Sequence, residues 1–180
     1  MKNAIILHGT ADSPDLYWFP WLKRELEVRG YEVWLPLLPN AGKPNIADWR
    51  PFILEGGRFS DETIIIGHSA GAQIILSVLE KLDQAINKAI LVSGYAKALG
   101  KDAESKKGVD DYNWEAIKGK AKEFVFINSD NDPWTCDDKQ GRIMQEHLGG
   151  QLIIRHDGHM GSVMFNQPYK EFPLLLDFIR

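Results

Sequence analysis

Short apolar runs rich in Ile, Val and Leu recur along the chain, with longer segments of mixed polarity between them. Most of these runs are nearly continuous in apolar residues and do not alternate with polar ones. Continuous apolar strands are typical of a parallel sheet that is covered on both faces. Six strands are therefore predicted: Ala4–Leu7, Tyr31–Leu35, Thr63–Ile66, Lys88–Val92, Glu123–Asn128 and Leu152–Arg155.

The segments between the strands carry apolar residues at helical spacing, and glycines stand where some of them should end. Because strands and helices alternate, the pattern predicts an α/β three-layer α/β/α sandwich with a mostly parallel sheet. At 180 residues the chain is expected to form a single domain, 1–180. The predicted helices are Leu16–Arg29, Ser69–Leu82, Asp138–Leu148 and Tyr169–Arg180.

Two connections are longer than the usual ~2–6 residues and are candidate functional loops. The first, Pro36–Pro51, contains four prolines. The second, Tyr95–Lys122, is rich in charged residues. Most of their residues are interpreted as solvated surface.

Composition and charge restrict the function classes. The chain is 44% hydrophobic, which suffices for a core, and 21 basic against 25 acidic residues give a net charge of −4. This balance lacks the basic excess of nucleic-acid-binding proteins, so no nucleic-acid partner is expected.

A single cysteine, Cys136, excludes an internal disulfide. No apolar stretch resembles a secretory signal or a spanning helix, so we expect a cytoplasmic protein without membrane contact.

The most specific motif is Gly67-His68-Ser69-Ala70-Gly71, which lies directly between a predicted strand and a predicted helix. A turn this tight needs small residues on both sides of the serine, and it presents the hydroxyl above the sheet at a helix N-terminus. Ser69 is therefore the predicted nucleophile. The alternative is that Ser69 only caps the helix.

A serine nucleophile needs a base and an acid, which in this kind of fold follow in the order Ser, Asp, His. The loop after the fifth strand offers Asp132, which Pro133 biases toward an extended conformation. Asp130 is the rival acid, and either aspartate could instead serve only turn hydrogen bonds.

The predicted base, His159, follows the sixth strand between Gly158 and Gly161. A histidine there could take the Ser69 proton and return it to a leaving group, while the acid fixes its tautomer. His156 and His147 are interpreted as structural or surface residues.

The backbone N–H groups of Thr10 and Ala70 are the predicted oxyanion donors, because one follows the first strand and the other follows the nucleophile. Aromatic and apolar residues next to these loops are candidate substrate-binding residues: Trp18, Phe19, Trp134 and Met160. For Trp18, Phe19 and the neighbouring Trp21, packing of a helix on the sheet is the competing interpretation, and it is preferred for at least two of the three.

Together these motifs make the chain resemble an α/β-hydrolase, and more narrowly the small serine hydrolases related to retinoblastoma-binding protein 9. The resemblance spans nearly the whole chain and implies the triad Ser69, Asp132 and His159. It also implies a minimal fold without a lid domain and the strand order 2-1-3-4-5-6. The segments that carry it are His8–Thr10, Trp18–Leu22, Gly30–Val33, Thr63–Gly71, Leu91–Ser93, Asp132-Pro133 and Gly158-His159.

The sequence departs from that family in two places. The stretch after the first strand is Thr10-Ala11-Asp12-Ser13 where glycines are common. The Leu-x-Cys-x-Glu motif associated with retinoblastoma-protein binding is missing around Cys136. Binding to that partner is therefore not carried over.

The leading hypothesis is a cofactor-free serine hydrolase acting on small esters or amides through an acyl-enzyme. One alternative is a binding module on a hydrolase fold whose chemistry is vestigial. Another is a metal-dependent hydrolase, but its candidate ligands lack the short spacing of zinc motifs, so no metal is expected. Those ligands are His8, His68, Asp132 and His159. The sequence leaves the oligomeric state open.

Overall fold

A computed structural model describes residues 1–99 and 111–179. Its centre is a six-stranded parallel sheet of β1 Asn3–Leu7, β2 Glu32–Trp34, β3 Thr63–His68, β4 Ile86–Val92, β5 Ala121–Ser129 and β6 Gln151–Arg155. The strand order is β2-β1-β3-β4-β5-β6, which confirms the predicted architecture and order.

Helices cover both faces of the sheet because successive strand residues point to opposite sides. Along β1, Ile5 packs into one apolar cluster and Ile6 into the other. The helices are α1 Phe19–Val28, α2 Ile46–Gly56, α3 Ala70–Lys81, α4 Trp114–Lys118, α5 Asp138–Leu148 and α6 Leu174–Asp177. Residues of α2, α3, α4 and α5 belong to the first cluster, and residues of α1 and α6 belong to the second.

Helix α2 corrects the expectation that Pro36–Pro51 is only a loop. It begins at Ile46, where the Asn45 side chain accepts a hydrogen bond from the Ala47 N–H, and it continues through Pro51. Trp49 and Ile53 are buried in the core. Burial of these two side chains offsets the hydrogen bond that the proline removes.

The terminal helices are shorter than predicted. Helix α1 starts at Phe19 because Tyr17, with φ of 51°, has a left-handed backbone. Helix α6 starts only at Leu174, since the residue before Pro173 is disfavoured in helical geometry and Tyr169 has φ of 37°. In the second long connection, α4 occupies part of the expected loop, and residues 100–110 lie outside the described residues.

The strand order places the functional loops at one edge. From β1 the chain crosses to β2 on one side, whereas β3 pairs with β1 on the other. The loops that leave β1 and β3 therefore meet at the carboxyl edge, where open α/β sheets hold their sites. No helix in the described part of the chain is long and apolar enough to cross a membrane.

Candidate active site

Ser69 occupies a strained turn between β3 and α3, with φ of 56° and ψ of −120°. The flanking glycines make this turn possible, because a Cβ on Gly67 would overlap the Gly71 backbone. A Cβ on Gly71 would in turn overlap the carbonyl oxygens of Leu7 and His8. Close backbone packing thus holds a non-glycine residue in a conformation that costs about 1–3 kcal/mol.

The Ser69 hydroxyl does not cap the helix that it precedes. Although Ser69 stands at the N-cap position of α3, its side chain makes no capping hydrogen bond. The residue is half-buried. The strained backbone thus coexists with a hydroxyl that serves no capping role, which disfavours the capping interpretation.

Asp132 and His159 form a buried pair on the loops after β5 and β6. His159 Nδ1 lies 2.7 Å from Asp132 Oδ2, and the two side chains are 6% and 0% exposed. The carboxylate can only accept, so Nδ1 carries the proton and Nε2 is left as an acceptor. Asp132 is held in turn by the Trp134 N–H, which donates to Oδ1 at 2.8 Å.

The main chain of His159 is fixed by three side chains that the sequence interpretation missed. Its carbonyl accepts hydrogen bonds from His68 Nε2 at 2.8 Å and from Ser93 Oγ at 3.0 Å. Its N–H donates to Gln167 Oε1 at 2.9 Å. The contacts from His68 and Ser93 join residues 91 and 66 positions apart in the sequence, and no local pattern predicts them. They tie the β6 loop directly to the residue before Ser69.

Burial lowers the pKa of His159 below its ordinary value. The hydrogen bond to Asp132 opposes this shift, and the neighbouring His68 ring, 4.8 Å away between centroids, adds to it. The neutral imidazole, the form that can accept a proton, is thereby favoured at neutral pH. Within the described residues no hydrogen bond joins Ser69 Oγ to the His159 ring.

The rival aspartate, Asp130, pairs with His156 instead. Its Oδ1 lies 2.6 Å from His156 Nδ1, but these side chains are 52% and 78% exposed. Asp132 therefore contacts the predicted base, His159, whereas Asp130 contacts His156.

The predicted oxyanion donors belong to the loop after β1 and to the start of α3, and both segments adjoin Ser69. A Cβ added to Gly9 would lie 3.0 Å from Ser69 Cβ, so the loop after β1 runs directly next to Ser69. In the described ranges no hydrogen bond involves the Thr10 N–H. Ala70 is the first residue of α3, and the geometry of a helix leaves its N–H without an intrahelical acceptor.

Asp12, which the sequence interpretation did not assign, lies in the same loop. It accepts a hydrogen bond from Tyr17 Oη at 3.0 Å, and its other oxygen lies 3.8 Å from His68 Nδ1. Burial, followed by the Asp12 charge, raises the pKa of Tyr17 to about 12. Tyr17 therefore remains a neutral donor that holds the loop.

His8, by contrast, is structural. Its Nε2 accepts the Leu38 N–H at 2.9 Å, so Nδ1 must carry the proton that bonds the Gly9 carbonyl. Burial lowers the pKa of His8, which favours this neutral form. With both ring nitrogens engaged, His8 is not available as a metal ligand.

Of the four candidate substrate-binding residues, only Trp134 presents a large surface, at 41% exposed. Trp18, Phe19 and Met160 are each 0% exposed. The Trp18 indole donates to the Met160 carbonyl at 3.0 Å. The substrate-binding expectation is therefore wrong for these three. The packing interpretation preferred from the sequence holds for Trp18 and Phe19, and Met160 packs into the same buried apolar cluster.

The described residues contain one group that could hold a metal ion: Asp132, Cys136 and His159, whose donor atoms lie within 4.8 Å of one another. This group shares Asp132 and His159 with the four ligands considered from the sequence, and it adds Cys136. Cys136 is buried, as expected for a packing residue.

Comparisons with known proteins agree on one family. A model of the family described as serine hydrolase matches residues 4–177. YdeN from Bacillus subtilis is 28% identical over 99% of this chain and 94% of its own length, and the serine hydrolase RBBP9 from Rattus norvegicus is 28% identical over 92% and 90%. The crystal structure of YdeN superposes with a TM-score of 0.88 and 26% identity, covering 99% of this chain and 97% of the other.

Proposed function

This chain belongs to the serine hydrolase family, and we propose that it cleaves small carboxylic esters through an acyl-enzyme on Ser69. The observation that carries the proposal is the buried hydrogen bond between Asp132 and His159, in loops tied to the strained turn of Ser69. A buried acid and base fit a nucleophile that needs activation.

In the proposed mechanism, the Ser69 hydroxyl attacks the ester carbonyl while His159 Nε2 takes its proton. The Asp132 carboxylate holds the imidazole and stabilises its charged form. The N–H groups of Thr10 and Ala70 stabilise the negative oxygen of the tetrahedral intermediate. His159 then returns the proton to the departing alcohol, and water releases the acid from Ser69 by the same steps in reverse order.

The proposed substrates carry a short acyl group, which is the part of the ester that becomes bonded to Ser69. Trp18, Phe19 and Met160 are fully buried and offer no surface to a ligand. The long connection Pro36–Pro51 contributes part of α2, whose Trp49 and Ile53 pack into the core and so build no separate lid.

Labelling with a fluorophosphonate tests this proposal, because an activated serine displaces fluoride from such a probe far faster than an ordinary serine does. Intact-protein mass should show one adduct on the wild type and none on Ser69→Ala. The variant His159→Ala should react at least about 10³-fold more slowly than the wild type, whereas the control His147→Ala should react at the wild-type rate. A folded wild type that forms no adduct would contradict the proposal and favour a binding module on this fold.

A further inference from the structure

A short turn after His159 exposes three consecutive apolar side chains. Val163, Met164 and Phe165 are 73%, 74% and 44% exposed, and we call them the apolar tip. Backbone hydrogen bonds close the turn in both directions between Ser162 and Gln167, at 3.0 and 2.8 Å. A run of exposed apolar residues is unfavourable in water unless it has a partner, so the tip calls for a functional explanation.

The apolar tip is attached to both loops of the proposed acid and base. Gln167, at one end of the turn, accepts the His159 N–H at 2.9 Å. Ser162, at the other end, accepts the Trp134 indole N–H at 3.4 Å, and the Val163 N–H donates to Tyr17 Oη at 3.2 Å. The position of the tip is therefore coupled to that of the proposed base.

Trp134 connects the apolar tip to His159. Its ring lies 5.3 Å from that of Phe165 and 6.5 Å from that of His159, edge-on in both cases. Trp134 is itself 41% exposed. Trp134 thus links the buried imidazole to the exposed apolar tip through two ring contacts.

The direction of proton transfer identifies the part of the substrate that lies there. His159 must return its proton to the departing alcohol oxygen, so the alcohol portion of the ester lies on the His159 side. The acid portion becomes bonded to Ser69 Oγ as the bond between carbonyl carbon and alcohol oxygen breaks. We infer that Trp134 and the apolar tip bind the alcohol portion, and that the enzyme prefers esters of apolar alcohols. This inference rests on the proposed function.

Two ester series separate the two portions. Acetates of straight-chain alcohols from ethyl to octyl share one acetyl-enzyme, so differences in kcat/KM report on the alcohol. We expect kcat/KM of the wild type to rise about two- to fourfold with each added methylene, until the alcohol chain is long enough to cover the apolar tip. In the double variant Met164→Ser and Phe165→Ser the rise should be largely lost. In a second series, p-nitrophenyl esters of increasing acyl length, the same double variant should change kcat/KM for every ester by a similar factor.

Val28→Ser is the matched control, because Val28 is 85% exposed on α1 and outside the turn. It should leave both series unchanged. A flat alcohol series in the wild type, or an equal slope in the tip variant, would overturn the inference. A tip variant that alters the acyl series alone would place the acid portion at the tip and would overturn it too.

Other occupants of the apolar tip give different results. The inference is wrong if kcat/KM depends equally on alcohol length in the wild type and the tip variant while the tip has another occupant. Sedimentation would then show a dimer that the tip variant abolishes, or phosphatidylcholine vesicles would bind only the wild type. Fluorophosphonate labelling of the same preparations separates the two proposals. A labelled wild type with no alcohol preference would overturn this inference alone, whereas an unlabelled one would overturn the proposed function.

Discussion

The loops after β5 and β6 hold two pairs of aspartate and histidine with nearly equal spacing and opposite surroundings. Asp132 and His159 are 2.7 Å apart and buried, whereas Asp130 and His156 are 2.6 Å apart and exposed. Water screens the exposed pair, and such pairs contribute little. The buried pair holds one tautomer and keeps its imidazole mostly neutral. Burial, more than distance, distinguishes a pair suited to proton transfer.

The largest expected effect comes from neutralising the two acids separately. Asp132→Asn should lower kcat for p-nitrophenyl acetate by about 10⁴-fold, because an amide neither stabilises the imidazolium nor selects the tautomer. Asp130→Asn should change kcat less than about twofold. Circular dichroism would verify that both variants fold. Equal losses, or a larger loss for Asp130→Asn, would reverse the assignment of the acid.

The pH dependence of activity should follow the buried pair. The base must be neutral to accept a proton, and burial lowers the pKa of His159, so kcat/KM should rise with pH to a midpoint below about 6.5. Trp134→Ala, which opens one side of the ring to water, should move that midpoint upward. His156→Gln should not move it. A wild-type midpoint at or above the ordinary histidine value would contradict this account.

Acid should also destabilise the fold through buried histidines. The pKa values of His159 and His8 are lowered in the folded state, so below about 6.5 the unfolded chain binds more protons. The free energy of unfolding should therefore fall as the pH drops below that value. Urea unfolding of wild type, His159→Gln and His156→Gln would measure it. The free energy of unfolding should fall less steeply with decreasing pH in His159→Gln than in His156→Gln. Equal declines in the two variants would contradict the prediction.

The smallest effect belongs to the exposed pair. A double-mutant cycle with Asp130→Asn and His156→Gln should give a coupling energy of about 0.5 kcal/mol or less at neutral pH. Thermal or urea unfolding of the four proteins would supply it. A coupling above about 2 kcal/mol would mean that exposure does not separate the two pairs.

Much of the fold and part of the site are predictable because their signals are local. Continuous apolar strands predict the parallel sheet, and Gly67 and Gly71 predict the tight turn of Ser69. Helix α2 was missed because Pro51 argues against a helix unless the burial of Trp49 is known. Composition also cannot tell an aromatic residue in the core, such as Trp18, from one that lines a site.

Contacts between different loops cannot be predicted from the sequence pattern. The side chains of His68, Ser93 and Gln167 fix the main chain of His159, yet none belongs to a motif that predicts this. An apolar run such as Val163–Phe165 would ordinarily suggest burial. Its exposure follows from hydrogen bonds that hold the turn against the site.

The most direct test of the central claim is to trap the acyl-enzyme. The protein would be mixed with p-nitrophenyl acetate, quenched in acid within the first turnover and digested for mass spectrometry. The account predicts one acetyl group per chain on the peptide that contains Ser69, and none in the Ser69→Ala variant. Hydrolysis without any acetylated Ser69 in the quenched protein, or an acetyl group on another residue that turns over at the catalytic rate, would contradict it.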